Sequence, residues 1–224
     1  MVREELTRRI TDTARAHLAR SGAAGLSLRA VARELGMASS AVYRYFPSRD
    51  ALLTTLIVDA YDSLGEACEA AESRVERRDL ALRHLAIARS ARGWALEHPH
   101  EYALIYGTPV PGYQAPPDTV DPATRVTRLL LDLIADAEAR GCRPAFTPEM
   151  SESTVHDMRN LADQAGARVS PAYLFVSLGQ WAQLFGLITF ELFGQFNNVV
   201  ESRAEFFDDQ VRHMARLLGI LEEH

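Results

Sequence analysis

Residues 26–49 read LSLRAVARELGMASSAVYRYFPSR, and the spacing of their apolar side chains decides the fold. Leu28, Val31, Ala32 and Leu35 recur at i, i+3, i+4 and i+7, the stripe of one face of a helix. Ser27 precedes that stripe as an N-cap residue, and Gly36 suits the left-handed position that ends a helix. After Met37-Ala38, Ser39 is placed to cap a second helix whose Val42 and Phe46 point inward. Ser39, Ser40, Tyr43 and Arg44 then fall on its outer face, and Pro47 stops it. Two helices of about two turns across a tight glycine turn predict a helix-turn-helix whose second helix enters a DNA major groove.

Upstream, Leu6, Ile10, Ala14 and Leu18 step by four through residues 3–20, an amphipathic helix with Arg8, Arg9, Arg15 and Arg20 off the stripe. Downstream, Ser48-Arg49-Asp50 is a helix start, and Leu53, Leu56, Ile57, Ala60 and Leu64 mark a long linking helix over 49–71. The expectation is an all-α chain with a three-helix DNA-binding domain over 1–48 and a larger helical domain over 49–224, about nine or ten helices in all.

Charge distribution agrees. The 224 residues are 47% hydrophobic and 24% charged, the composition of a folded globular protein. The net charge of −6 is uneven. Residues 1–50 carry nine arginines against five acids, a net of +4, and the remainder fifteen arginines against twenty-five acids, a net of −10. A basic head on an acidic body is the footprint of a phosphate-binding module carried by something else. All basic residues are arginine, from which no function is drawn. Cys68 and Cys142 are too few for a zinc or disulfide framework and are expected to be reduced and buried, although a single bridge between them stays open. The opening MVREELTRRI has no apolar signal region, which predicts a cytoplasmic protein. Tyr173–Phe196 is strongly apolar but broken by Gln180, Gln183, Glu191 and Gln195, so a buried helix is expected there and no membrane span.

The order S-L-R-x-V-A-x-E-L-G, M-x-x-S-A-V-Y-R-Y-F-P-S-R-x-A-L-L resembles the DNA-binding domain of TetR/AcrR-family transcriptional regulators. Arg49 stands where that family usually has lysine, and Ser27 where threonine is commoner. Further on, Trp94, His98 and Gly107, in W-x3-H-P-x-E-Y-x-L-x-Y-G, resemble the ligand-binding domain type named WHG, over about residues 80–195. The resemblance implies a dimer, an operator and an effector.

The rest of the chain reads as helices and one loop. Residues 72–93 are arginine-rich and helical, and Pro99 starts a new helix. Five prolines and two glycines make 107–122 a loop. Helices are expected over 123–139, 150–165 and 172–196, and finally along Phe207, Val211, Met214, Leu218 and Leu221, a seam with steps of 4, 3, 4 and 3. The helix of 172–196 is apolar nearly all round and needs partners on two sides. That predicts a homodimer through a four-helix bundle of the helices over 171–197 and 203–222.

For DNA, Arg44 suits a guanine edge or a phosphate, and Ala38, Ser39 and Ser40 are small enough to let the helix sit deep. Tyr43, Tyr45, Ser27 and Arg49 suit phosphate contacts, and Arg29 either a phosphate or an internal ion pair. On a solvated helix all of these residues would be unremarkable; two tyrosines on a short basic helix favour the groove. For an effector, Trp94, His98, Tyr102 and Tyr106, joined by Trp181 and Phe185, supply aromatic walls with polar handles, against the alternative that they are core. His98 and His100 diverge at i+2 on a helix, so no metal site is expected, and no cofactor. No nucleophile elbow, P-loop or dinucleotide fingerprint is present, which argues against an enzyme. The reading is a sequence-specific, ligand-responsive regulator, most simply a repressor on a palindromic operator. Two other readings stay open: a helical small-molecule-binding protein that has lost DNA binding, and a low-specificity architectural DNA binder.

Overall fold

A computed structural model describes residues 2–221. Among them are ten α-helices and no strand, as the periodicities predict: α1 Val2–Ser21, α2 Leu28–Glu34, α3 Ser39–Val42, α4 Arg49–Glu72, α5 Leu80–Glu97, α6 Pro99–Tyr106, α7 Val120–Ala139, α8 Glu152–Ala165, α9 Pro171–Leu192 and α10 Arg203–Leu217. They form two compact units. One holds the chain up to Ser63 together with Glu97–Ala123; the other holds Leu64–Leu96 and the chain from Thr124 onward. Compactness therefore does not divide at residue 48: the start of α4, α6 and the proline-rich loop belong with the head.

In the first unit α1 packs on α2 and α6, and α2 on α3. Ile10, Ala14, Leu18, Leu28, Val31, Ala32, Val42, Phe46, Leu52, Leu53 and Leu56 make its core. α2 closes as its sequence requires: Gly36 is left-handed (φ 65°), the Met37 amide donates to the Ala32 carbonyl (2.9 Å) and the Gly36 amide to Arg33 (3.1 Å). The second helix is shorter than its pattern suggests. α3 is four residues long, continued to Phe46 by turn hydrogen bonds such as Tyr45 to Val42 (2.9 Å). A single turn is not stable alone. It is held by burial of Val42 and Phe46, each contributing about 1.5–3 kcal/mol. Ala38, not Ser39, occupies the N-cap position, and Ser27 has N-cap geometry without a side-chain cap bond. α4 does have its cap, the Ala51 amide donating to Ser48 Oγ at 3.0 Å.

In the second unit α9 packs against α8 and α10. Residues 73–79 are a turn, not the helix their composition suggests, and α5 starts only at Leu80. Arg83, fully buried, fixes the connection: its guanidinium donates to Glu72, to Asp136 (2.8 Å) and to the Arg77 carbonyl (3.3 Å). The carboxylate inside the apolar α9 is likewise paired, Arg92 donating to both oxygens of Glu191 at 2.6 and 2.7 Å. By length and composition alone α9 could cross a membrane. Cys68 and Cys142 are unbridged; Cys68 is buried, which pushes its thiol up to about 12, and Cys142 is half-buried. On α10, the seam residues Phe207, Val211, Met214 and Leu218 are buried within their own unit. The uncovered apolar stripe lies instead on α9, where Phe175, Leu178, Phe190 and Phe193 are exposed.

Candidate functional site

The outer surface of α3 is built by exclusion. Val42 and Phe46 are committed to the core, so Ala38, Ser40, Tyr43 and Arg44 face solvent, Tyr43 at 44% exposure. Ser27, Ser39, Tyr45 and Arg49 are half-buried around them, and Arg29 is exposed on α2. The Tyr45 ring packs on the head core, with the Arg3 guanidinium 6.0 Å above it.

Cations in the head divide into two groups. Arg15 pairs with Asp12 and Asp59 (2.7 and 2.6 Å), and Arg20 with Glu34 (2.6 Å). Among the described residues Arg29, Arg33 and Arg44 have no acidic partner. An exposed surface with unneutralised guanidinium groups, hydroxyls and one exposed tyrosine can donate to phosphates and base edges. Arg49 is partly committed elsewhere. Its Nη2 donates to the Ala23 carbonyl at 2.9 Å, tying the segment after α1 to the start of α4.

The six expected ligand-pocket residues fall into both units. His98, Tyr102 and Tyr106 belong to the first. There Tyr102 is fully buried, its ring 5.1 Å from that of Tyr106, which meets Tyr61 edge-on at 6.1 Å. Burial raises the Tyr61 hydroxyl above its ordinary pKa, and that hydroxyl donates to the Ile105 carbonyl at 3.2 Å. Tyr113 reaches Thr54 at 3.0 Å. These aromatics brace the first part of α4. His98 takes the N-cap position of α6 without a side-chain cap bond.

Trp94, Trp181 and Phe185 belong to the second unit, with Trp181 and Phe185 at 5.7 Å between ring centres. Trp181, but not Trp94 or Phe185, lines a hollow whose walls are Leu130, Ile134, Leu184 and two polar side chains, His84 and Gln180. His84 is 4% exposed, and burial lowers it to about 4, so its imidazole is neutral near pH 7. Gln180 is legible as one of the amides interrupting the apolar run. His84 is missed by a sequence reading, although its place four residues after Leu80, on the stripe that continues through Ile87, Ala88 and Ala91, marks it as a polar group on a buried face.

Comparison with known proteins bears on both parts. Residues 10–56 match the family described as bacterial regulatory proteins, tetR family, and residues 84–214 match the tetracyclin repressor-like C-terminal domain. The HTH-type transcriptional regulators Rv1816 of Mycobacterium tuberculosis and Mb1846 of Mycobacterium bovis are each 40% identical to the chain over 99% of its length and 94% of theirs. A solved structure of SCO4313, described as a regulatory protein, is 33% identical with a TM-score of 0.79, covering 95% of this chain and 96% of that one. From the helix-turn-helix to the last helix, this chain belongs to the TetR family of transcriptional regulators.

Proposed function

We propose that the chain acts in the cytoplasm as a homodimeric repressor, released from a palindromic operator by a small-molecule effector. The observation that carries the reading is the outer face of α3, where Ser40, Tyr43 and Arg44 are exposed and Arg44, with neighbouring Arg29, has no acidic partner among the described residues. Within that face Arg44 reads a base edge or a phosphate, the small residues Ala38, Ser39 and Ser40 permit close approach, and Ser27, Arg29, Tyr43, Tyr45 and Arg49 fix register on phosphates. Two copies related by a two-fold axis place their recognition helices one helical turn apart on DNA, roughly 34–36 Å, or a multiple of it. The exposed apolar stripe of α9 supports the dimer. An effector in the second unit acts only through a difference in affinity between the DNA-competent and released arrangements. Releasing DNA 100-fold requires roughly 3 kcal/mol of such coupling.

A gel shift on the DNA upstream of the chain's own gene, titrated with salt, tests this. Specific binding is expected; Arg44→Ala weakens it by about 10- to 100-fold, the 1–3 kcal/mol of a base contact, and Tyr43→Ala weakens it through loss of a phosphate contact, neither changing helix content or assembly. Arg29→Ala weakens specific and non-specific DNA alike and lowers the salt slope by about one. No binding at low salt removes the regulator reading; binding without sequence preference points to the architectural one. Tyr43→Ala and Arg44→Ala variants that both bind like the unmodified chain remove the recognition-face assignment.

A further inference from the structure

We propose that the hollow formed by His84, Gln180 and Trp181 is the effector site, and that it takes an uncharged, hydroxyl-bearing molecule with an apolar body; this rests on the reading of the chain as an effector-controlled regulator. Three of its lining residues each carry a buried polar atom with no hydrogen-bond partner among the described residues: His84 Nδ1, Gln180 Oε1 and Trp181 Nε1. Buried polar groups are paired in the great majority of folded proteins, so three orphans around one hollow indicate a missing partner. The remaining polar wall residue, Ser177, is already engaged, its hydroxyl donating to the Tyr173 carbonyl at 2.7 Å.

The orphans specify the chemistry. An indole N–H only donates, so the ligand must accept; a glutamine carbonyl only accepts, so the ligand must also donate. A neutral imidazole presents Nδ1 in either role according to its tautomer. A hydroxyl head meets all three demands, whereas an ether, a ketone or a hydrocarbon leaves at least one group unpaired. Among the described residues no arginine, aspartate or glutamate lines the hollow, so an anion or a cation would be buried there without a counter-charge. Leu130, Ile134, Leu184 and Leu218 supply the apolar wall. The hollow measures about 280 Å³ including its open mouth. The hydroxyl meets the three orphaned groups and the apolar body lies against the leucines and Ile134.

Trp94 and Trp181 are the only tryptophans, so two indole N–H resonances report on the full-length, isotope-labelled protein without DNA. Phenol is the probe and toluene its shape-matched control. Phenol is expected to shift the Trp181 resonance saturably and the Trp94 resonance little, with toluene binding at least tenfold more weakly. His84→Phe and Gln180→Leu are each expected to weaken phenol at least tenfold. Absence of a saturable Trp181 shift overturns the site, as does toluene binding as tightly as phenol; the second comparison needs no variant to fold. Failure leaves the gel shift untouched and removes this site alone. A chain that binds phenol here but no operator keeps the site and loses the regulator reading.

Discussion

Arg49 belongs to a sequence pattern associated with DNA, yet its guanidinium donates to the Ala23 carbonyl and approaches Ala24. The two roles separate by substitution. Arg49→Ala removes a hydrogen bond from a charged donor, worth about 1.5–3 kcal/mol, and chemical denaturation is expected to show a loss of that order. Arg49→Lys keeps a charge for phosphate but not the planar donor fork, so DNA affinity recovers further than stability. An Arg49→Ala chain as stable as the unmodified one would show that the tie to Ala23 contributes nothing. His84 gives a prediction in pH. Its folded-state value of about 4 lies below the ordinary 6.5, so the unfolded chain binds the proton more readily between those values. Stability from this group is therefore complete above pH 6.5 and falls as pH drops toward 4, by on the order of 3 kcal/mol, then levels off. Unfolding free energies measured from pH 7.5 to 4 should fall more steeply for the unmodified chain than for His84→Gln, and parallel curves would refute the assignment.

Helix ends carry much of the information at the next scale. Gly219 follows α10 with φ 66°, and a Cβ there would lie 1.9 Å from the Arg143 carbonyl oxygen. The loop at Arg143 is also held to α10 by the Ala145 amide, which donates to Leu217 at 2.9 Å. Gly219→Ala combines a disfavoured backbone region with a backbone clash, and a loss of at least about 2 kcal/mol is expected, read as a lower melting temperature; an unchanged one would contradict the geometry. Local signals of this kind made the head legible. Leu28, Val31 and Ala32, Gly36, and Val42 with Phe46 and Pro47 all lie within one short stretch. The start of α5 was not legible, because residues 73–79 are composed like a helix and their turn is held from far along the chain. Arg140 donates to the carbonyls of Arg78 and Arg77 at 2.9 and 3.0 Å, and Arg83 to Arg77 again. The hollow was opaque for the same reason: His84 and Trp181 stand 97 positions apart in the chain, and only packing brings them together. Tyr102, Tyr106 and Tyr113 could be seen as an aromatic concentration, but not that they brace the first part of α4.

At the scale of the assembled molecule, α9 has two opposed faces. Gln180, Trp181 and Leu184 line the hollow, whereas Phe175, Leu178, Phe190 and Phe193 are exposed on the other side with Gly179 and Ala182 among them. Among the described residues outside the helix's own backbone, nothing lies within 4 Å of where a side chain on Gly179 or Gly186 would begin, so another backbone can approach closely there. Four large apolar side chains along one stripe are more than scattered surface hydrophobics, and they call for a partner. A two-fold axis imposes a register: residue i meets j wherever j meets i. Phe175 and Phe190 are nearly equidistant from Ala182, so antiparallel crossing of α9 on its copy sets each phenylalanine against the other's counterpart and Ala182 beside the axis. Ala182→Arg then faces two guanidinium groups toward each other in an apolar contact, where unpaired charge is costly. The substitution disturbs nothing inside the unit, because Ala182 is exposed. Sedimentation should show a monomer with unchanged helix content. Operator affinity should fall at least 100-fold, because a monomer holds one half-site and loses the effective concentration supplied by the second. A chain carrying Ala182→Arg that sediments as a dimer at micromolar concentration would place the interface elsewhere.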